Sequence, residues 1–127
     1  MFFNPRKAAF RAGNVSGTEW DDANIGNGSV AFSSNSKASG ISSIATGTGT
    51  TASGEVSTAT GTGTTASATA ATAMGTNSTA SANTATAVGY EVNSKSFAET
   101  SIWNLQHGLH ANFNNSIFSN RPHFWSR

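Results

Sequence analysis

The chain is 127 residues long, with only 10% of them charged, a formal net charge of +1 and no cysteine. That balance gives no electrostatic pull toward nucleic acid or an anionic membrane surface, and it leaves neither a disulfide framework nor thiol chemistry. Between Ala38 and Ser94 the only charges are Glu55 and Glu91 and the first aromatic is Tyr90. Such a stretch cannot build a core of Leu, Ile and Phe, and composition alone would place it among disordered segments.

Residues 1–28 have a more ordinary composition, with Phe2, Phe3, Phe10, Val15, Trp20 and Ile25. The opening Met1-Phe-Phe-Asn-Pro-Arg-Lys has no apolar run long enough for a secretory signal. No segment of the chain approaches the roughly 20 apolar residues of a membrane-spanning helix. The chain therefore reads as a fragment, with any export or anchoring parts outside it and no insertion of this piece into a membrane. Asn14-Val-Ser-Gly-Thr-Glu-Trp20 is expected to form short strands and turns that cap whatever follows. Asp21-Asp22 is read as a solvated turn, because adjacent carboxylates on a strand face opposite sides and make a poor metal site.

From Ser29 the sequence repeats every fourteen residues without an insertion. The units open with Ser29-Val-Ala-Phe-Ser33, Ser43-Ile-Ala-Thr-Gly47, Ser57-Thr-Ala-Thr-Gly61, Ala71-Thr-Ala-Met-Gly75 and Ala85-Thr-Ala-Val-Gly89, then a damaged Glu99-Thr-Ser-Ile-Trp103. A second motif keeps the same phase: Ser36-Lys-Ala-Ser-Gly40, Thr50-Thr-Ala-Ser-Gly54, Thr64-Thr-Ala-Ser-Ala68 and Ser78-Thr-Ala-Ser-Ala82. A disordered linker has no reason to hold alanine at one phase. A strict short period means one backbone unit stacked on itself, an all-β solenoid with one coil per fourteen residues.

At about 3.3 Å per residue, each coil has room for two strands of roughly five residues and two tight bends. In the first strand, Val30, Phe32, Ile44, Met74 and Val88 alternate with Ala31, Ala45, Ala59, Ala73 and Ala87. Two sheets joined by such short bends leave space between them only for methyl groups. The alanines, with Ala38, Ala52, Ala66 and Ala80 of the second strand, are therefore assigned to the interior and the larger residues to the outside. Gly47, Gly61, Gly75 and Gly89 are expected to close the first strand at a bend of positive φ. An alanine interior buries little apolar surface against the entropy of ordering some hundred residues. The outward stripe Val30/Phe32/Ile44/Met74/Val88 is therefore expected to be a self-association seam.

The unit Ser-Val-Ala-Ile-Gly-x-x-Ser-x-Ala-x-Gly-x-x, seen here from Ser29 to Gly40 and from Ala71 to Ala82, resembles the repeat of the YadA-like head of trimeric autotransporter adhesins. The resemblance covers about Ser29 to Ile102. It implies a left-handed parallel β-roll, three chains to a bundle, displayed on the bacterial cell surface and used for attachment. Thr58 and Thr60 stand where that pattern has Val and Ile, giving a more polar seam. Similar rolls occur in phage tail fibres, so the resemblance speaks more to fold than to ligand.

From Asn104 the alanine–threonine chemistry stops and Asn, His, Phe and Trp take over. Back-translating residues 102–126 with freely chosen codons and reading one base later can restore the missing glycine and a Thr/Ser/Tyr-rich sequence. Residues 103–127 are accordingly read as an irregular, out-of-frame tail, expected to be poorly ordered and dispensable. Their removal should leave the melting transition of the rest unchanged, and the codons themselves are the direct check. His107 and His110 flank Gly108 and lack a third ligand, so no metal site is assigned.

No catalytic constellation is present: the serines have no neighbouring base, and histidine occurs only in the tail. Gly47-Thr-Gly49 and Gly61-Thr-Gly63 are repeat features without the lysine of a phosphate loop. A non-enzymatic protein without cofactor or metal is expected. Its candidate roles are a homotrimeric adhesin head with a host-cell or matrix ligand, a structural spacer of a surface or phage fibre protein, or a binder of ice or another crystalline surface. On this reading the three parts are a cap (1–28), head repeats (29–102) and the tail (103–127).

Overall fold

A computed structural model describes residues 1–102. The tail 103–127, with His107 and His110, lies outside the described residues. The strands run in chain order as β1 (Phe2–Asn4), β2 (Ala9–Ala12), β3 (Val30–Phe32), β4 (Lys37–Ala38), β5 (Ile44–Thr46), β6 (Thr51–Ala52), β7 (Thr58–Thr62), β8 (Thr65–Ala66), β9 (Thr72–Thr76), β10 (Thr79–Ala80), β11 (Thr86–Tyr90), β12 (Asn93–Ser94) and β13 (Thr100–Ile102). They form two sheets: an eight-stranded one ordered β1-β2-β3-β5-β7-β9-β11-β13, and a five-stranded one ordered β4-β6-β8-β10-β12. From β3 onward every pairing between coils is parallel and the register advances by fourteen residues, as in Ala45↔Ala59↔Ala73↔Ala87 and Ala52↔Ala66↔Ala80. The result is a parallel β-solenoid of about five turns.

The interior is made of the smallest side chains. Ala31, Ala45, Ala59, Ala73 and Ala87 from the first sheet, and Ala38, Ala52, Ala66 and Ala80 from the second, have no solvent exposure. Two further interior columns were not assigned from the sequence: Ser29/Ser43/Ser57/Ala71/Ala85, and Ser36/Thr50/Thr64/Ser78/Val92, all buried. A buried hydroxyl needs a local acceptor, and the serines of the first column find one three residues back. Ser29 Oγ donates to Gly26 O at 2.6 Å, Ser43 Oγ to Gly40 O at 2.7 Å and Ser57 Oγ to Gly54 O at 2.6 Å. Where Ala68 replaces that glycine, Ala71 replaces the serine. The backbone bond of the turn persists there, from Ala71 N to Ala68 O at 3.1 Å.

The chain turns at two phases seven residues apart. One is Asn35/Gly49/Gly63/Asn77/Glu91 and the other Ser42/Val56/Ala70/Thr84/Ala98, all with φ between 53 and 65°. Val56 is a β-branched residue held there at φ 57° while 56% exposed. It pays the left-handed penalty with little packing in return. Asparagine tolerates this region, so Val56→Asn is expected to raise the unfolding free energy by about 1 kcal/mol, read as an increased denaturant midpoint.

The glycine column has the positive φ expected of it, but only Gly47 stands at the end of its strand. Gly47 follows β5, but Gly61, Gly75 and Gly89 lie inside β7, β9 and β11, with φ of 121, 113 and 139°. A Cβ on Gly47 would stand 1.9 Å from Gly61 O, and one on Gly61 the same distance from Gly75 O. Each glycine thus lets one coil's backbone lie directly against the next.

Residues 1–28 form part of a further coil. Strand β2 pairs parallel with β3, placing Arg11 opposite Ala31, and β1 folds back antiparallel on β2. The expected strands at Asn14–Trp20 are absent: that stretch is bends and turns, followed by a 3-10 turn at Asp22–Asn24. Lys7 anchors it, reaching Ile25 O at 3.1 Å and the Asp22 carboxylate at 3.2 Å. Arg11 projects inward at the end of the alanine column, fully buried, and desolvation lowers its pKa.

At the other end, Glu99 occupies the phase of the interior serines. Burial raises the pKa of its carboxyl. The backbone amides of Ser96 and Lys95, the Ser101 hydroxyl and the Lys95 charge outweigh this and hold it below its ordinary value of 4.5. A carboxyl depressed by folding adds stability above its unfolded pKa and loses it as pH falls through the folded value. Glu99→Gln should therefore lower the melting temperature at neutral pH, with the difference closing as pH falls below 4.5.

Candidate interaction face

The outer surface of the eight-stranded sheet carries two rows of side chains, because residues paired across parallel strands share a face. One row follows the register Phe3↔Phe10↔Val30↔Ile44↔Thr58↔Thr72↔Thr86↔Thr100. The other runs Ala12↔Phe32↔Thr46↔Thr60↔Met74↔Val88↔Ile102.

The five residues assigned to the stripe all lie on this face, but the structure divides them. Val30, Phe32 and Ile44 group at the N-terminal end, where Phe10 and Phe32 meet edge-to-face with ring centroids 5.6 Å apart. Met74 and Val88 are neighbours in the second row, two coils further on. The coil between the groups shows Thr58 and Thr60, both half-buried. Phe32, Ile44 and Met74 are 38–43% exposed, and Ile102 beside Val88 is 52% exposed. These exposed apolar side chains share one outer face of the sheet, the kind of surface that a partner can cover.

The sequence-based stripe missed three members of these rows. Phe3 and Phe10 sit outside the fourteen-residue phase because several extra residues separate β2 from β3. Ile102 belongs to the coil whose opening was read as damaged. The signal that could have found Phe10 is the local string Ala9-Phe-Arg-Ala-Gly13, which copies the alternation and closing glycine of the repeat.

The opposite sheet presents Lys37, Thr51, Thr65, Thr79 and Asn93 in one outward row, a polar surface without that apolar character. Among the described residues no cluster of three His, Asp or Glu side chains could hold a metal, and no helix is long and apolar enough to cross a membrane.

A parallel solenoid of fourteen-residue coils, with alanine inside and apolar side chains on one outer face, defines the class of protein: a parallel β-roll. Residues 38–65 and 66–91 each match the YadA head domain repeat, so this part of the chain is a YadA-like head. No curated protein matches the chain.

Proposed function

We propose that the chain is the head of a surface adhesin: a non-catalytic homotrimeric column that attaches a bacterial cell to other cells or to matrix. The observation that carries this reading is the outward face bearing Val30, Phe32, Ile44, Met74 and Val88 on a roll whose own interior is mostly alanine, serine and threonine. Three copies turned inward on these rows remove the apolar side chains from water and leave the Thr/Ser face of the second sheet outermost. The match of residues 38–91 to the YadA head domain repeat supports the same assembly and a place at the cell surface. Phe3, Phe10 and Ile102 extend the seam to both ends.

The ice-binding reading gains no support. Thr46/Thr48 and Thr60/Thr62 flank Gly47 and Gly61, but the row is broken by Met74 one coil later. The longer row Thr58, Thr72, Thr86 and Thr100 runs beside Met74, Val88 and Ile102 rather than beside a second row of threonines, so it does not make a Thr-x-Thr plane.

The full chain, screened against matrix proteins and whole cells, should bind a subset of them saturably. A trimeric sample that binds none of the panel would favour the spacer role, in which the column only carries another domain outward.

A further inference from the structure

The pair Asn27-Gly28 carries a chemistry of its own, and it is the only Asn-Gly pair in the chain. Glycine has no Cβ to shield its backbone nitrogen. When that nitrogen loses its proton, it can attack the side-chain amide carbon of the preceding asparagine. A C–N bond closes a five-membered imide, the Cγ–Nδ2 bond breaks, and the side-chain nitrogen leaves as ammonia with the proton. Water then opens the imide at one of its two carbonyls and leaves aspartate or isoaspartate. No oxidant or cofactor takes part. Such reactions place asparagine among the heat-labile residues.

The fold holds this peptide unit by both of its polar atoms. Gly28 N donates to Lys7 O at 2.7 Å, and Asn27 O accepts from Ser42 N at 2.7 Å. The second bond opens a column that continues along the roll, from Val56 N to Ile41 O, Ala70 N to Glu55 O, Thr84 N to Thr69 O and Ala98 N to Asn83 O, at 2.8–3.0 Å. The first bond extends that column backward, but its acceptor comes from the turn after β1. Lys7 is itself tied down: its amide donates to Asn4 O at 3.2 Å, and its ammonium reaches Asp22 and Ile25 O. The Asn27 side chain is exposed and makes no hydrogen bond among the described residues. The electrophile is thus free while the nucleophile is engaged.

We propose that Asn27 is a self-modification site which the turn at Lys7 keeps closed, and that its conversion makes release of that turn irreversible. Gly28 N becomes a nucleophile only after its bond to Lys7 O is broken. The rate therefore follows the fraction of chains in which the turn is open. Isoaspartate routes the backbone through the side chain and adds a methylene ahead of Gly28. The displaced peptide unit can no longer meet Lys7 O and Ser42 N together at hydrogen-bond distance. This site lies at the N-terminal end of the roll and depends neither on the seam along its side nor on what the head attaches to.

The test keeps the full chain in mildly alkaline buffer and follows Asn27 by peptide mapping with mass spectrometry, with circular dichroism to report strand content. Conversion in the folded chain should be at least about a hundredfold slower than in the same chain unfolded by urea. Lys7→Met keeps the stem but removes the ammonium, and should speed conversion in the folded chain about tenfold. Equal rates in the folded and unfolded chain overturn the proposal, as does a strand-rich Lys7→Met chain that converts no faster than the parent. Should Lys7→Met lose its strand spectrum, Asp22→Asn, which removes only the ion pair of an exposed carboxylate, is judged in the same way by an acceleration of about threefold. Isoaspartyl chains isolated from the urea sample and refolded should exchange the Gly28 and Ser42 amides about tenfold faster than the parent. Parental protection at both amides would show that the turn docks again and would overturn its irreversible release.

Discussion

Alanine at Gly61 is expected to destabilise the roll by about 3–5 kcal/mol, the sum of backbone strain at a glycine-only conformation and overpacking against a fixed neighbour. Its φ of 121° suits no other residue well, and the new methyl would stand 1.9 Å from Gly75 O. That oxygen belongs to the next coil's backbone and has no side-chain freedom to yield. Gly49 provides the control. Its φ is 65°, and an added Cβ meets nothing within 4 Å, so Gly49→Ala should cost only about 1 kcal/mol. Chemical denaturation of the two variants side by side separates close coil contact from simple turn preference. Equal losses would show that the glycine column is not a contact column.

Met74→Asp should have the other large effect, and on assembly rather than on the single chain. At 42% exposure on an outward row, the substitution in an isolated roll would fall within about 0.5 kcal/mol, as surface changes usually do. In a trimer closed on that row it brings three carboxylates together, at about 4 kcal/mol per pair for charges near 4 Å in a partly screened interface. The trimer should dissociate. Thr79→Asp, on the outer face of the opposite sheet, should leave assembly unchanged. A Met74→Asp chain that sediments like the parent would remove this face from the interface.

The fold was legible because the repeat states it twice, once in the phase of Ser29, Ser43 and Ser57 and again in that of Ala38, Ala52, Ala66 and Ala80. The turns were harder to read. At Asn35, Gly49, Gly63 and Asn77 the turn does show in residue type, since Asn and Gly adopt positive φ most readily, and only Glu91 breaks that series. Ser42, Val56, Ala70, Thr84 and Ala98 share the conformation without a shared chemistry, so there the geometry that the stack imposes leaves little trace in side-chain type. The glycines at 47, 61, 75 and 89 have the positive φ inferred for them, and at 47, 61 and 75 close approach of the next coil's backbone is a second reason that the sequence did not show.

Departures from the repeat proved more informative than they look in the sequence. Glu99 reads as decay of the Ser/Ala phase, yet its carboxylate occupies the position of the next coil's carbonyl. Arg11 reads as one charge in an irregular leader, yet it lies opposite Ala31 and ends the alanine column. The outward face was partly visible. Val30, Phe32, Ile44, Met74 and Val88 follow from alternation alone, whereas their separation into two groups depends on which row each occupies.

The central claim is a homotrimer built on the outer face of the eight-stranded sheet. Sedimentation equilibrium of the full chain at micromolar concentration tests it most directly, with circular dichroism on the same sample to establish its strand content. The account predicts a single species of three times the chain mass, reduced to one chain by Met74→Asp and unaffected by Thr79→Asp. A strand-rich sample that sediments at the mass of one chain would contradict it.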